Sequence, residues 1–232
     1  MLVALEGIDA AGKTTIAPLL ADRLREHGYG TYLHPKKDYE FGDDTVRERL
    51  SQLHRLIWGA GHQEPDHDPM GTQYHLFLHA AWFASAYRHR LGAWQADPGA
   101  VAVVDGWYHR SVAKAMIRDD LSRSWCQALF EPAGTPDAVV FLDVDPDLAW
   151  QRRAGRFTAA ELGRWDGQHG VAYEAFRAYQ SAVAEVLREF ARDFGWIVVR
   201  PEPTCSPAHV LEMTLEPLLA RIGRRSGSAS RH

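Results

Sequence analysis

Apolar residues fall into two kinds of run along this chain. Leu2–Leu5, Val101–Val104 and Ala138–Leu142 are short, wholly apolar and free of turn formers. That pattern predicts strands buried on both faces. Thr31–Leu33 and Trp196–Val199 are two further strand candidates. Between them lie longer stretches that alternate polar and apolar positions with the helical period. Thr14–His27 reads as a helix closed by Gly28. Asp43 and Asp44 open a helix to about Trp58, and Thr72–Gln95 reads as one long, aromatic-rich helix. Arg110–Phe130 is mostly helical in pattern, and Val171–Phe194 is a single long helix. Asp145-Pro146 pairs an N-cap with proline at the first helical position, and Ser206-Pro207 opens the last helix. Pro18 sits one turn inside the first helix, where proline costs about 3 kcal/mol and implies a kink.

Strands alternating with helices predict an α/β fold, a parallel sheet covered on both faces. No linker or repeat interrupts it, so residues 1–222 read as one domain. Residues 223–232 have the composition of a disordered tail. The length of 232 residues suits one sizeable core. A net charge of −4 lacks the basic field of a nucleic-acid binder. No 18-residue apolar stretch points to a membrane. Cys126 and Cys205 read as reduced thiols, and the expectation is a cytoplasmic protein. Of the 26 basic residues only four are lysine: Lys13, Lys36, Lys37 and Lys114. Lysine is a compact point charge and arginine a planar fork, so each rare lysine marks a position where the difference can matter.

The first of them closes a motif. Gly7-Ile8-Asp9-Ala10-Ala11-Gly12-Lys13-Thr14 matches G-x-x-x-x-G-K-[ST], after a predicted strand and before a predicted helix. Glycines let the backbone wrap a phosphate, and the helix N-terminus faces the anion. Gly7, Ala10, Ala11 and Gly12 would form the cradle. Lys13 would hold the β- and γ-phosphates, Thr14 would offer its hydroxyl to Mg²⁺, and Thr15 would support the α-phosphate side.

The longer string Leu5-Glu6-Gly7-Ile8-Asp9-Ala10-Ala11-Gly12-Lys13-Thr14-Thr15 resembles the opening of the thymidylate kinase family. Gly42–Leu50, Val103-Val104-Asp105 and Pro136–Pro146 are similar to later family segments in the same order. The resemblance covers roughly residues 2–222. It implies a P-loop three-layer sandwich with a five-stranded parallel sheet, ATP as donor and Mg²⁺ as cofactor. It also implies a small-molecule phosphoryl acceptor, thymidine monophosphate by family default, and frequent dimerisation. Arg152, Arg153 and Arg156 fall at the family's lid, here about residues 153–168 within the glycine-rich stretch Gly155–Gly170. One of them would meet the transition-state charge, because position 10 is alanine and the loop supplies no arginine. By resemblance Asp9 would sit near the acceptor sugar.

Two departures stand out. The family's Asp-Arg-Tyr is here Asp105-Gly106-Trp107, and the long-helix arginine that reaches the acceptor's phosphate is replaced by Ala81 or Trp82. Lys36 and Lys37, in the loop after the second strand, and Arg110 and Lys114, one helical turn apart, are the candidate replacements. Phe77, Trp82, Trp107, Tyr108 and Tyr179 are candidates for a stacking wall or for ordinary core. Asp105 ends a buried strand, where it can hold Mg²⁺ through water, orient the attacking hydroxyl, or simply cap a helix. Asp143 ends the neighbouring strand, with a structural role as good a reading as a catalytic one. His75 and His79 have the i, i+4 spacing of a zinc pair but no third ligand, and His62, Asp66, His67 and Asp68 read as a solvated loop. Two other functions stay open: a kinase for an acceptor hydroxyl that carries no phosphate, and an ATP-binding regulator without turnover.

Overall fold

The computed structural model describes residues 1–59, 68–118 and 121–229, with side chains to residue 224. All five predicted strands form, as β1 (Leu2–Glu6), β2 (Gly30–His34), β3 (Ala100–Val104), β4 (Ala138–Leu142) and β5 (Ile197–Val199). They make one parallel sheet in the order β2-β3-β1-β4-β5. The register sets Val3 of β1 beside Val103 of β3 and Ala138 of β4. Every residue of β1, β3 and β4 is buried, which is why these strands read as unbroken apolar runs. β2 is an edge strand, half exposed, and carries the weaker signal.

The helices are α1 (Lys13–Glu26), α2 (Asp44–Trp58), α3 (Thr72–Ala86), α4 (Gly92–Ala96), α5 (His109–Ile117), α6 (Arg123–Phe130), α7 (Pro146–Arg152), α8 (Ala172–Asp193) and α9 (Pro207–Ala229). α1 packs with α9, and α5 with α3 and α8. α1 runs through Pro18 because Ile16, Ala17, Leu20, Ala21 and Leu24 bury one face. That burial outweighs the lost backbone hydrogen bond. The predicted caps form: Asp43 accepts from the Val46 amide and Asp145 from the Asp147 amide.

Three expectations change. The long helix from Thr72 is interrupted by a π-turn over Tyr87–Leu91, one residue wider than the α repeat, before α4 continues it. The Arg110–Phe130 stretch divides into α5 and α6, the second capped by Ser122. α9 continues to Ala229, so residues 223–229 extend a helix where composition predicts a tail. Adding a residue to an existing helix is easy once its first turns are anchored, here by buried Val210, Leu211, Leu215, Leu218 and Ile222.

β1 lies between β3 and β4, at the point where the strand order reverses, and ligand crevices open beyond the carboxyl ends of strands there. Asp105 follows β3 and Asp143 follows β4, but their environments differ. The buried Asp143 carboxylate accepts from Arg188 of α8 at 3.0, 3.2 and 2.8 Å and from Arg200 at 3.0 Å. It ties β4 to α8 and to the segment after β5, the structural alternative of the two. Asp143→Ala should therefore destabilise the fold by about 1–3 kcal/mol, read as a lower urea midpoint at unchanged m-value.

Candidate active site

β1 ends in Glu6, whose side chain is wholly buried. Its Oε1 accepts from the Trp107 amide at 3.1 Å, the His109 amide at 3.2 Å and His109 Nδ1 at 3.1 Å. Glu6 thus fixes the turn between β3 and α5. Burial alone would raise its pKa, but the His109 hydrogen bond and the His109, Lys36 and Lys13 charges outweigh it and hold it low.

The loop after Glu6 wraps tightly into α1. At Gly7 a Cβ would stand 2.8 Å from the Leu142 carbonyl and 2.9 Å from Ala11 Cβ, so only glycine fits. Ala10, with φ 62, holds a left-handed conformation that costs about 1 kcal/mol or more, a strained position of the kind found at functional sites. Lys13 Nζ donates to the Gly7 carbonyl at 2.8 Å and the Ile8 carbonyl at 2.7 Å. Burial, then Arg110, push Lys13 down to about 7, against the pull of Asp9, Glu6 and Asp105.

Asp9 joins three elements. Its carboxylate accepts from Arg110 and from Lys114 at 3.0 Å, both on α5, and from Gln180 Nε2 of α8 at 3.1 Å. Its amide donates to Gln180 Oε1 at 3.1 Å. Burial works against the charged form, yet Arg110, Lys114 and Lys13 hold this carboxyl well below the usual range. Gln180 also donates to the Glu161 carbonyl in the predicted lid, at 2.8 Å.

Of these residues Asp9, Ala10, Lys13, Arg110, Lys114 and Glu161 line a cavity of about 1040 Å³ across the carboxyl ends of β1, β2 and β3. One end holds Asp9, Ala10, Ala11, Gly12, Lys13, Thr14 and Thr15, with Arg152 and Arg153. Arg152 Nη1 donates to the Ala11 carbonyl at 3.0 Å, and Arg153 pairs with Glu161 at 2.6 Å. Arg156 is exposed, bonds the Arg153 carbonyl and does not line the cavity. The middle holds Lys36, Lys37, Asp105, Arg110 and Lys114. Lys36 is pinned by its backbone: its amide donates to Asp105 Oδ1 at 3.0 Å and its carbonyl accepts from Trp82 Nε1 at 2.9 Å. Burial, with the Arg110 charge, lowers Lys36 well below its ordinary value. Its Cδ passes 3.4 Å from where a Cβ on residue 106 would stand. A side chain at 106 would therefore lie in van der Waals contact with Lys36. Gly106, with φ 108, gives the turn a conformation other residues rarely adopt.

Of the five aromatic candidates, Tyr179 alone lines this cavity. Phe77 is 54% exposed and meets Trp125, because positions 75, 76 and 79 of α3 turn inward and 77 turns away. Trp82 is buried behind Trp58 and holds Lys36. Trp107 packs on Phe83 and donates to the Gly134 carbonyl, and Tyr108 stacks on Phe130. Ala81 is exposed and off the cavity. The aromatic wall is built instead from Trp58, His75, His79 and Trp165, with Ile57 and Leu76. The histidines carried a spacing signal. The tryptophans carried none beyond their size.

Asp68, Arg118 and Asp166 form a latch that the sequence does not announce. Arg118, after α5, pairs with Asp68 at 3.2 Å, with Thr72 Oγ1 at 2.6 Å and with Asp166 of the lid. His62, Asp66 and His67 lie outside the described residues. Among the described residues no group of three or more His, Cys, Asp or Glu side chains is placed to hold a metal ion. Thr14 and Asp105 nevertheless face the same cavity, and Asp105 has its second carboxylate oxygen clear of hydrogen bonds among the described residues. One hydroxyl and one carboxylate, completed by water and phosphate oxygens, suit Mg²⁺, which rarely takes an all-protein cage.

No protein-family model matches the chain. It is 32% identical to a probable thymidylate kinase of Archaeoglobus fulgidus over 155 residues, 66% of this chain and 68% of that protein. Over 157 residues it is 31% identical to a probable thymidylate kinase of Methanothermobacter thermautotrophicus, covering 67% and 70% of the two chains. A thymidylate kinase of Danio rerio is 25% identical over 211 residues, 90% of this chain and 85% of that one. No helix among the described residues is long and apolar enough to cross a membrane.

The Asp9 network carries a pH signature. A carboxyl held below its unfolded pKa stabilises the fold above that value, and the gain is lost as the pH falls through about 4 and lower. Asp9→Asn should flatten this acid limb of stability, measured by denaturant unfolding between about pH 6 and 3.

Proposed function

The chain belongs to the thymidylate kinase family of phosphotransferases, and we propose that it transfers the γ-phosphoryl group of ATP to a nucleotide-like acceptor, with thymidine monophosphate the first to test. The observation that carries this reading is the single cavity that runs from the phosphate loop to the cations Lys36, Arg110 and Lys114. A donor triphosphate lies on the loop amides and Lys13, and the acceptor enters from the Trp58 and His79 side. Held in line, the two need little covalent help, and positioning with charge stabilisation supplies the rate.

Each residue then has a task. Lys13 leaves the Gly7 and Ile8 carbonyls for phosphate oxygens. Arg152, beside the loop, neutralises charge developing on the transferred group, with Arg153 second and Arg156 outside. Asp105, at the end of a rigid strand, would act on a monophosphate acceptor through the ion it helps to hold, because the attacking atom is then a phosphate oxygen rather than a hydroxyl. Thr14 and Asp105 would hold Mg²⁺, which supplies charge neutralisation between the phosphates. Asp9 fixes Arg110 and Lys114 in place.

A second reading has its own support. Asp9 already offsets one of the two charges on Arg110 and Lys114, glycine stands at 106, and Ala81 faces away. Fewer uncompensated cations then face the acceptor, which suits a hydroxyl compound without a phosphate. ADP release measured over nucleoside monophosphates, nucleosides and no acceptor separates the two readings. Release with monophosphates alone supports the first, and release with nucleosides supports the second. Binding of ATP with no release in any arm would make the protein a regulator.

Lys13→Ala should lower kcat/KM by ~10²–10³-fold; intact turnover would remove the phosphate loop from the reaction. Nucleotide binding should also take up protons. Lys13 lies near 7 without a phosphate partner and rises when one arrives, so ATP affinity falls as the pH climbs above 7. Calorimetry in buffers of different ionisation enthalpy measures that uptake.

A further inference from the structure

His75 and His79 face the acceptor half of the cavity from one side of α3, but they do different things. His75 Nε2 lies 3.0 Å from Asp68 Oδ1, and its ring stacks on Trp165 with centroids 5.1 Å apart. His79 turns its Nδ1 back to the His75 carbonyl oxygen, one turn earlier, at 2.8 Å. A carbonyl only accepts, so Nδ1 of His79 carries the proton. Burial, reinforced by Lys36, lowers His79 to about 3, so the ring is neutral near pH 7. Its Nε2 then bears a lone pair and no hydrogen.

That nitrogen is accessible. No described residue is placed to bond Nε2, and it is not among the enclosed unpartnered atoms, in contrast to both ring nitrogens of His34. The ring is also held in place. Its face lies along Phe83 at 6.3 Å and 19°, and Trp58 meets it edge to face at 5.9 Å and 78°. Flipping the tautomer would break the Nδ1 bond inside α3.

We propose that His79 Nε2 is a specificity-determining hydrogen-bond acceptor, selecting a phosphoryl acceptor that presents an N–H or O–H donor to it, such as the imide N–H or exocyclic amine of a nucleobase. This rests on the kinase reading above. A substrate edge with only lone pairs would face this nitrogen without a hydrogen bond, and one with the donor blocked would bury the nitrogen unsatisfied. Trp58 and Leu76 supply the apolar surface beside it, so the ring is read by shape and this nitrogen reads the polarity of its edge.

The test is calorimetric binding to the full chain of two nucleotide pairs. Thymidine 5′-monophosphate is compared with its N3-methyl analogue, and deoxycytidine 5′-monophosphate with its N4,N4-dimethyl analogue. In at least one pair the methylated member should bind about tenfold more weakly or worse. That discrimination should collapse in His79→Phe and persist in His79→Gln, which keeps an acceptor oxygen. The proposal is overturned if the wild-type chain binds each methylated member as tightly as its parent, if His79→Phe discriminates as the wild type does, or if none of the four binds. ADP release run in parallel keeps the two readings apart. The expected binding pattern with no ADP release from these nucleotides or from nucleosides would end the kinase reading and leave His79 as a determinant of ligand recognition alone.

Discussion

The site depends on one buried carboxylate. Lys13, Lys36, Arg110 and Lys114 crowd a cavity where the effective dielectric is well below that of water, and like charges so placed repel strongly. Asp9 makes the arrangement tolerable by accepting from Arg110, Lys114 and Gln180 at once. It also sets geometry, because those partners sit on α5 and α8, and Gln180 reaches onward to the Glu161 carbonyl. A change at Asp9 therefore reaches the loop, both helices and the lid together. Glu6 has the corresponding role deeper in the fold, fixing the turn that begins α5.

Around that centre the protein places mobile side chains on immobile backbone. Lys36 sits in a loop after an edge strand, an unpromising base for precise chemistry. Yet its amide and carbonyl are held by Asp105 and Trp82, so only the side chain is left to move. Arg118 does something similar for the lid by joining Asp166 to Asp68 and Thr72. Ion pairs of this kind are worth little when exposed. Asp68 and Asp166 are largely buried, which screens them less and makes the latch a directional constraint.

The sequence exposed whatever is local. Buried strands read as apolar runs because both faces are covered. The phosphate loop reads as a motif because its glycines answer to backbone clashes within a few residues. Aromatic placement was not legible: Phe77, Trp82, Trp107 and Tyr108 are as apolar as a substrate wall requires, but α3's rotation and the core behind β3 decide where each one points. The wall comes from Trp58 and Trp165, far apart in sequence and joined only by folding. Nor could spacing reveal that Arg110 and Lys114 share one carboxylate, or that the α3 histidine pair serves two separate partners. The π-turn at Tyr87–Leu91 has no marker in a pattern that allows either period.

Gly106 and Lys36 are neighbours across the turn, with the lysine Cδ 3.4 Å from where a Cβ at 106 would stand. An arginine at 106 would need a different backbone there, since φ 108 disfavours any side chain, and its Cβ would meet Lys36 at van der Waals contact. The obstacle to a side chain at 106 is therefore the turn itself, more than the lysine beside it.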